Sequence, residues 1–346
     1  MLSYVIVGSG YRAEYFARVA KTWPERFRAL FLCRSEAKAA KLKRDTGVDA
    51  VLTAEAAEAF GPDFVVVAVD RGHVADVAGE WIARGYPVVT ETPVGDTEDK
   101  LERLERLGEA GAKIVCCEQY HRQPILAAGL EAVRQGLIGA PQTAYISLVH
   151  DYHAASLIRR ALGVGGEGYT LLGARRVSPA VETDSRYGAI LDGRVADEVR
   201  DQVLVTFESG RTAIYDFAPL QYRSYIRARH ITVRGDRGEW SDTTLYGLDA
   251  QGLPWRRALT PELPEKYRCL DTQYLRDLRK AWRGELFLDT LQDEYAIATI
   301  LLDMGEYLAG GPSPYPLWEA VGDARFWLRL QEAVGAGPVL TMRGSI

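Results

Sequence analysis

Cysteine is scarce in this 346-residue chain, and the four present, Cys33, Cys116, Cys117 and Cys269, have neither metal-ligand spacing nor the density of a disulfide framework. Cys116 and Cys117 are neighbours in an apolar run and read as strand residues rather than as a redox pair. A basic excess is missing as well: the formal net charge is -5, which argues against a nucleic-acid surface as the working face. No stretch stays apolar for long enough to cross a membrane, and Met1-Leu2-Ser3-Tyr4-Val5-Ile6-Val7-Gly8 starts a strand with no charged leader or cleavage site. The expectation is a cytoplasmic protein with neither nucleic acid nor membrane as partner. Repeats, low-complexity tracts and long charge runs are also lacking. What is left is an ordinary globular balance, 47% hydrophobic and 26% charged, in a chain long enough for two domains with a core each.

The stretch that organises the rest is Tyr4-Val5-Ile6-Val7-Gly8-Ser9-Gly10-Tyr11-Arg12-Ala13. A β-branched run ends in glycines and passes straight into residues of helical periodicity, the strand-turn-helix context that a dinucleotide fingerprint requires. Gly8 permits the tight turn, Gly10 lets the backbone approach a pyrophosphate, and Ala13 is small enough for the helix to lie close on the strand. Free N–H groups and the positive dipole end of the helix then face the phosphates, so Gly8, Ser9, Gly10, Tyr11 and Arg12 are expected to bind the cofactor.

A second strand, Phe27 to Cys33, ends in Arg34-Ser35. A site for NAD carries an acid about 20 residues beyond the glycines to take the ribose hydroxyls. Arg34 holds that place here, with Ser35 adding a hydroxyl, and a guanidinium attracts the 2′-phosphate that a carboxylate would repel. NADP is therefore expected in preference to NAD. Asp63 to Val69 reads as a central parallel strand, with Val69 and His73 near the cofactor at its carboxyl end. Pro87 to Thr90 runs into Glu91-Thr92-Pro93, and Lys113 to Cys117 closes the series. Strands alternating with helices give an α/β, doubly wound parallel sheet, a Rossmann domain over residues 1–122. Residues 123–346 are expected to form an α+β substrate-binding and oligomerisation domain. Its mostly antiparallel sheet includes Gln202 to Glu208, Arg211 to Phe217 and Ile231 to Arg234. Helices are expected at about Cys269 to Trp282, Leu291 to Leu308 and Leu317 to Val334.

This order resembles the Gfo/Idh/MocA oxidoreductases, the family of glucose-fructose oxidoreductase and inositol dehydrogenase, across nearly the whole chain. Four blocks carry the likeness: the glycine fingerprint; Glu91-Thr92-Pro93, similar to the family's Glu-Lys-Pro; Glu118-Gln119-Tyr120-His121-Arg122-Gln123-Pro124, similar to its Glu-Asn-Tyr-Arg-Phe-x-Pro; and His153, Arg159 and Gly163, similar to its His-x-x-Asp-x-x-Arg-x-x-x-Gly helix. The resemblance implies a Rossmann domain followed by a sheet domain used for oligomer contacts, a homodimer or homotetramer, and hydride transfer to or from a small-molecule substrate in the cleft between domains. It also implies that Glu91 lies beside the nicotinamide ribose, the competing reading being that it only caps the following turn, and that Thr92, expected at the cofactor, stands where the family's lysine lies near the reacting carbon. Two departures stand out. Thr92 replaces the family's lysine, and its hydroxyl cannot serve as a general acid near neutral pH. Ser156 stands where the helix motif has aspartate.

Compensating chemistry is expected in His150-Asp151-Tyr152-His153. Two histidines with an aspartate between them can supply an acid/base near neutrality and its orienting carboxylate. His153 is the first choice as proton donor, with Asp151, Tyr120 and His121 beside it; the competing reading is that His150 and Asp151 cap a helix starting near Ala154. No metal site is expected. Tyr215, Phe217, Tyr222 and Tyr225 with Arg223, Arg227 and Arg229 either line a carbohydrate or carboxylate pocket or pack as plain sheet residues. Trp318, Phe326 and Trp327 are spaced as one helix face and read as core or oligomer contact. The functional expectation is an NAD(P)-dependent oxidoreductase acting on a sugar, polyol or related carbonyl compound. Two alternatives stand beside it: an NAD(P)-binding sensor or regulatory protein without hydride transfer, and a redox-assisted lyase or glycosidase that recycles its cofactor.

Overall fold

The computed structural model describes residues 1–185, 188–273, 275–276, 290–335 and 341–345. Short, mostly apolar strands alternate with helices over the first third of the chain. They are β1 (Leu2–Val7), α1 (Tyr11–Thr22), β2 (Phe27–Leu32), α2 (Glu36–Thr46), β3 (Ala50–Val51), α3 (Ala54–Ala59), β4 (Phe64–Val67), α4 (Val74–Ala83), β5 (Val88–Thr90), α5 (Glu98–Glu109) and β6 (Ile114–Cys116). The six strands form one parallel sheet in the order β3-β2-β1-β4-β5-β6. Every residue of β4, β5 and β6 is buried, as a sheet covered on both faces demands. The strand order reverses at β1, which pairs with β2 on one side and β4 on the other, so the ligand crevice of such a sheet opens beyond the carboxyl ends of β1 and β4.

The chain divides into two compact units. The first holds Met1–Gln123, Leu263–Gln273 and the described part of Leu288–Ala324. The chain thus returns to the first unit after the division expected at residue 122, bringing back the helix α8 (Thr290–Leu308). Trp23 shows how this is fixed: its indole is buried and donates to Leu270 O at 3.0 Å, 247 residues away. Of the helix expected over residues 269–282, Glu265–Leu270 is a tight 3-10 turn, Gln273, Leu275 and Arg276 are helical, and residues 274 and 277–282 lie outside the described residues.

The second unit begins with α6 (Pro124–Arg134), β7 (Pro141–Ser147), α7 (Asp151–Leu162) and β8 (Gly168–Val181). A short pair, β9 (Asp184–Ser185) and β10 (Gly188–Ala189), leads to β11 (Val195–Phe207) and β12 (Thr212–Phe217). Then come β13 (His230–Gly235), β14 (Gly238–Ser241), β15 (Thr244–Leu248) and β16 (Pro254–Ala258), and, after α9 (Leu317–Gly335), β17 (Thr341–Ser345). Nine strands form a sheet in the order β16-β15-β14-β13-β7-β12-β11-β8-β17, antiparallel throughout except where β12 meets β7. The meander β14 to β16 and the long β8 extend the expected sheet at both sides. Along β11, Val203, Val205 and Phe207 are buried while Leu204 between them is exposed, so one face carries the core and the other is open. Of the three aromatics expected on one helix face, Phe326 and Trp327 are buried and Trp318 is 57% exposed.

Candidate functional site

The turn between β1 and α1 is built by two glycines acting in different ways. Gly8 has φ +140°, and a Cβ built on it would stand 2.1 Å from Ala68 O at the end of β4, so only glycine fits. Gly10 is the N-cap of α1, with φ -90° and nothing within 4 Å of an added Cβ. No neighbour in the protein forbids a side chain there; a ligand resting on the helix end would. The cap makes no side-chain hydrogen bond, which leaves the first-turn N–H groups to be satisfied from outside. This open cradle fits a dinucleotide pyrophosphate. Ala13 is fully buried against the sheet, and Ser9 and Tyr11 are half-buried, with the Tyr11 hydroxyl 2.8 Å from that of Tyr15.

Beyond β2, Arg34 and Ser35 are both exposed, and Ser35, the N-cap of α2, makes no capping hydrogen bond. Their polar groups therefore stand at the carboxyl end of β2 with no internal task. Val69 is half-buried after β4; His73 is exposed at the start of α4 and does not cap it, while Asp70 accepts from Gly72 N at 3.1 Å.

Arg12 does not extend into solvent. Its Nε donates to Glu91 Oε1 at 3.1 Å, its Nη2 lies 3.0 Å from the same oxygen, and its Nη1 donates to Asp293 Oδ2 at 3.3 Å. The guanidinium lies over the Tyr15 ring, 4.6 Å from its centroid. Burial works against its charge, but Glu91 and Asp293 outweigh that and hold it further above its ordinary value. Glu91 is itself buried, and Thr92 beside it is half-buried. Asp293 escaped sequence reasoning because acids in the first turn of α8 read as helix-dipole partners. Nothing local shows that one of them reaches a residue 281 positions earlier.

Tyr120 is buried, its N–H donating to Glu118 Oε1 at 3.1 Å, and the His121 ring lies 5.5 Å from that of Tyr315. Burial raises the thiols of Cys116 and Cys117 well above their ordinary values, so both are inert sulfhydryls in the sheet.

In the second unit α7 begins at Asp151, three residues before the expected start, and its N-cap His150 makes no side-chain capping bond. The His150 side chain is engaged elsewhere: Nδ1 bonds the Tyr222 hydroxyl and Nε2 lies 2.9 Å from that of Tyr152. Asp151 has φ +41°; its N–H donates to Tyr215 Oη at 3.1 Å, and its Oδ1 accepts from Tyr215 Oη at 3.3 Å and Gln331 Nε2 at 3.4 Å. Burial, reinforced by the Asp151 charge, pushes the Tyr215 hydroxyl well above its ordinary value. His153 is 5% exposed, with its ring 4.7 Å from His150 and 4.6 Å from Tyr152. His150, Tyr152, His153 and Tyr222 thus form one group. Of the expected pocket aromatics, Tyr215 and Phe217 are core residues, Tyr222 joins the histidines, and Tyr225 is 74% exposed. Arg227 pairs with Glu198 at 2.8 Å, Arg223 donates to Ser185 O at 3.4 Å, and Arg229 lies over the Tyr222 ring. Among the described residues no three His, Cys, Asp or Glu side chains converge to hold a metal ion.

No protein-family model and no curated protein sequence matches the chain. Solved structures do. An oxidoreductase from Agrobacterium radiobacter, in complex with NAD+, L-tartaric acid and magnesium, is 14% identical with a TM-score of 0.71, over 99% of this chain and 98% of that one. An oxidoreductase domain protein from Kribbella flavida gives 15% and 0.72 over 100% and 99%. The WlbA dehydrogenase from Chromobacterium violaceum, in complex with NADH and UDP-GlcNAcA, gives 12% and 0.66 over 100% and 96%. The chain shares its fold with these solved oxidoreductase structures. Both the parallel sheet and the mixed sheet that follows it belong to that fold, and no helix among the described residues is long and apolar enough to cross a membrane.

Proposed function

We propose that the chain is an NADP-preferring oxidoreductase acting on a sugar, polyol or related carbonyl compound. The observation that carries this reading is the cradle at Gly10: a helix N-terminus without a side-chain cap, in the fingerprint position of a Rossmann sheet, closed to nothing but a ligand. Bound nicotinamide dinucleotide would supply or accept the hydride. Gly8, Ser9, Gly10 and Tyr11 hold its pyrophosphate, Val69 and His73 flank it, and Glu91 and Thr92 face its second ribose. The NADP preference rests on Arg34 and Ser35, exposed together at the end of β2. The neighbours crystallised with NAD+ or NADH support a nicotinamide cofactor in general.

Proton movement is assigned to His153, within the group His150, Tyr152 and Tyr222 of the second unit, with Asp151 between His150 and Tyr152 in the chain; Tyr120 and His121 are retained as candidates in the first unit. The substrate class follows the neighbours, one of which holds L-tartaric acid and another UDP-GlcNAcA. A homodimer or homotetramer is supported by the open sheet face, where Leu172, Leu204 and Ile214 lie opposite one another on three adjacent strands, 46%, 41% and 41% exposed. Free, buried thiols at Cys33, Cys116 and Cys117 suit the reducing cytoplasm.

Thr92 favours a second reading, a nucleotide-binding regulatory protein, since no cationic acid stands where the resemblance places one. Titration with NADPH and NADH, followed by nicotinamide fluorescence, tests the first claim: tight NADPH binding and weak NADH binding support it, and binding of neither removes it. Substrate-dependent oxidation of bound NADPH then excludes the regulatory reading. A His153→Ala variant that binds NADPH but does not turn over places the proton step at His153.

A further inference from the structure

We propose that Asp293 is a positioning residue for the nicotinamide half of the cofactor, acting through Arg12 on Glu91. This rests on the cofactor reading above and adds to it a residue from α8, outside every motif of the nucleotide fold.

Four side chains form a continuous line in the first unit. Gln123 Nε2 donates to Asp293 Oδ1 at 2.6 Å, Asp293 Oδ2 accepts from Arg12 Nη1 at 3.3 Å, and Arg12 Nε donates to Glu91 Oε1 at 3.1 Å. A guanidinium is a planar fork with donors in fixed directions, so two carboxylates at different edges set its orientation where one would leave it free to swing. The Tyr15 ring beneath supplies the third constraint. With both edges occupied, Arg12 is not a phosphate ligand. It is the clamp that holds the first turn of α1 against the end of β5, where Glu91 precedes Thr92. Asp293 and Glu91 are 14% and 8% exposed at their side chains, so the pairing is screened little by solvent.

The sheet order says which half of the dinucleotide feels this clamp. Arg34 follows β2 on one side of the switch point, and Glu91 follows β5 on the other. A dinucleotide laid across that crevice puts its adenosine ribose at β2 and its second mononucleotide half at the β4–β5 side. Loss of Asp293 frees Arg12 and loosens Glu91, which touches the nicotinamide half and leaves the adenosine half alone.

Two probes separate these halves in the full-length protein: NADPH, and adenosine 2′,5′-bisphosphate, which lacks the nicotinamide half. Asp293→Asn is expected to weaken NADPH binding about tenfold, the scale of one charge-assisted hydrogen bond, and to change bisphosphate binding less than about twofold by the same scale. Arg12→Met should give a similar pattern, and the double variant should be no weaker than the weaker single, because the two residues act as one unit. Asp293→Glu, which keeps the charge and moves it by one methylene, should show a smaller loss and stands in if Asp293→Asn does not fold. Unchanged NADPH affinity in the Asp293 variants overturns the proposal, as does equal weakening of both probes, which marks general damage to the unit. Stronger NADPH binding in Asp293→Asn also overturns it, because Arg12 would then be a phosphate ligand released by the change. If wild-type protein binds neither probe, the cofactor reading itself fails and this proposal falls with it.

Discussion

The Tyr222 hydroxyl meets His150 twice: it accepts the backbone N–H of His150 at 3.0 Å and bonds the Nδ1 of the same residue. A phenolic hydroxyl can accept the backbone N–H with one lone pair and donate its own proton to Nδ1, and this is the arrangement expected for Tyr222. A neutral imidazole that accepts at Nδ1 carries its proton on Nε2, facing the Tyr152 hydroxyl at 2.9 Å. The expected state of His150 is thus the neutral Nε2–H tautomer. With only five histidines in the chain, selective ring ¹⁵N labelling resolves them, and His150→Gln assigns the signal. Tyr222→Phe removes the donor to Nδ1 and should shift that nitrogen; a His150 signal indifferent to Tyr222→Phe contradicts the assignment.

Gly8 and Gly10, two residues apart, should respond to alanine in opposite ways. At Gly8 the added methyl strikes Ala68 O at a backbone angle that L residues rarely adopt, so Gly8→Ala should destabilise the fold by about 2–4 kcal/mol. At Gly10 the backbone is ordinary and the space open, so Gly10→Ala should leave stability within about 0.5 kcal/mol of wild type. Its cost falls on the ligand, with NADPH affinity lowered about tenfold or more as the methyl blocks the backbone's approach to the pyrophosphate. Paired melting curves and titrations check both; a thermally crippled Gly10→Ala contradicts the open cradle.

That contrast also shows what was legible in the sequence. The β1–α1 turn is written locally, in residues adjacent along the chain, and β1, β4, β5 and β6 announce themselves as short β-branched runs; β2 is mostly apolar without a β-branched residue, and the two-residue β3 leaves no such mark. The open-faced meander is harder to read. In β15 and β16 exposed residues such as Tyr246, Leu248 and Arg256 blur the apolar alternation that marks a strand. Asp293, Gln331 and Tyr222 were beyond reach for another reason. Each meets its site residue across 72 or more positions, and a single sequence carries no record of such pairings. His150 was seen, as one of two histidines in a candidate acid/base cluster with capping as the competing reading; its two tyrosine partners needed the sheet to be assembled.

Stability at low pH should report on Asp303. Burial alone would raise this carboxyl, but Arg122, Lys266 and Tyr267 outweigh it and hold it below its ordinary value. Arg122 Nη1 and Tyr267 Oη each lie 2.7 Å from Oδ2, and Lys266 Nζ lies 2.6 Å from Oδ1. A carboxyl depressed in the folded state takes up its proton later than in the unfolded chain as pH falls. Its contribution is complete above the unfolded value of about 4 and is lost as pH drops through the folded value. Asp303→Asn should therefore cost about 1–3 kcal/mol at neutral pH, where it leaves the half-buried Arg122 without its anion while exposed Lys266 keeps Glu306. Urea melts of both proteins should converge below about pH 4; a constant gap at all pH values would mean that the carboxyl contributes through shape, not charge.

The cofactor choice can be reversed at one residue. Arg34 is exposed, carries no internal hydrogen bond or ion pair among the described residues, and stands at the end of β2 beside the uncommitted Ser35 hydroxyl. A 2′-phosphate bonded by that guanidinium gains a charge-assisted contact that NADH cannot make, worth about 1.5–3 kcal/mol, or roughly tenfold to a hundredfold in affinity. Arg34→Ala should remove most of that advantage by weakening NADPH alone. Arg34→Asp should go further, repelling the phosphate and offering the ribose hydroxyls of NADH an acceptor, so that NADH becomes the tighter ligand. Because Arg34 holds nothing together in the protein, neither variant should melt differently from wild type. Equal NADPH-to-NADH ratios in wild type and Arg34→Asp would show that the 2′-phosphate is read elsewhere.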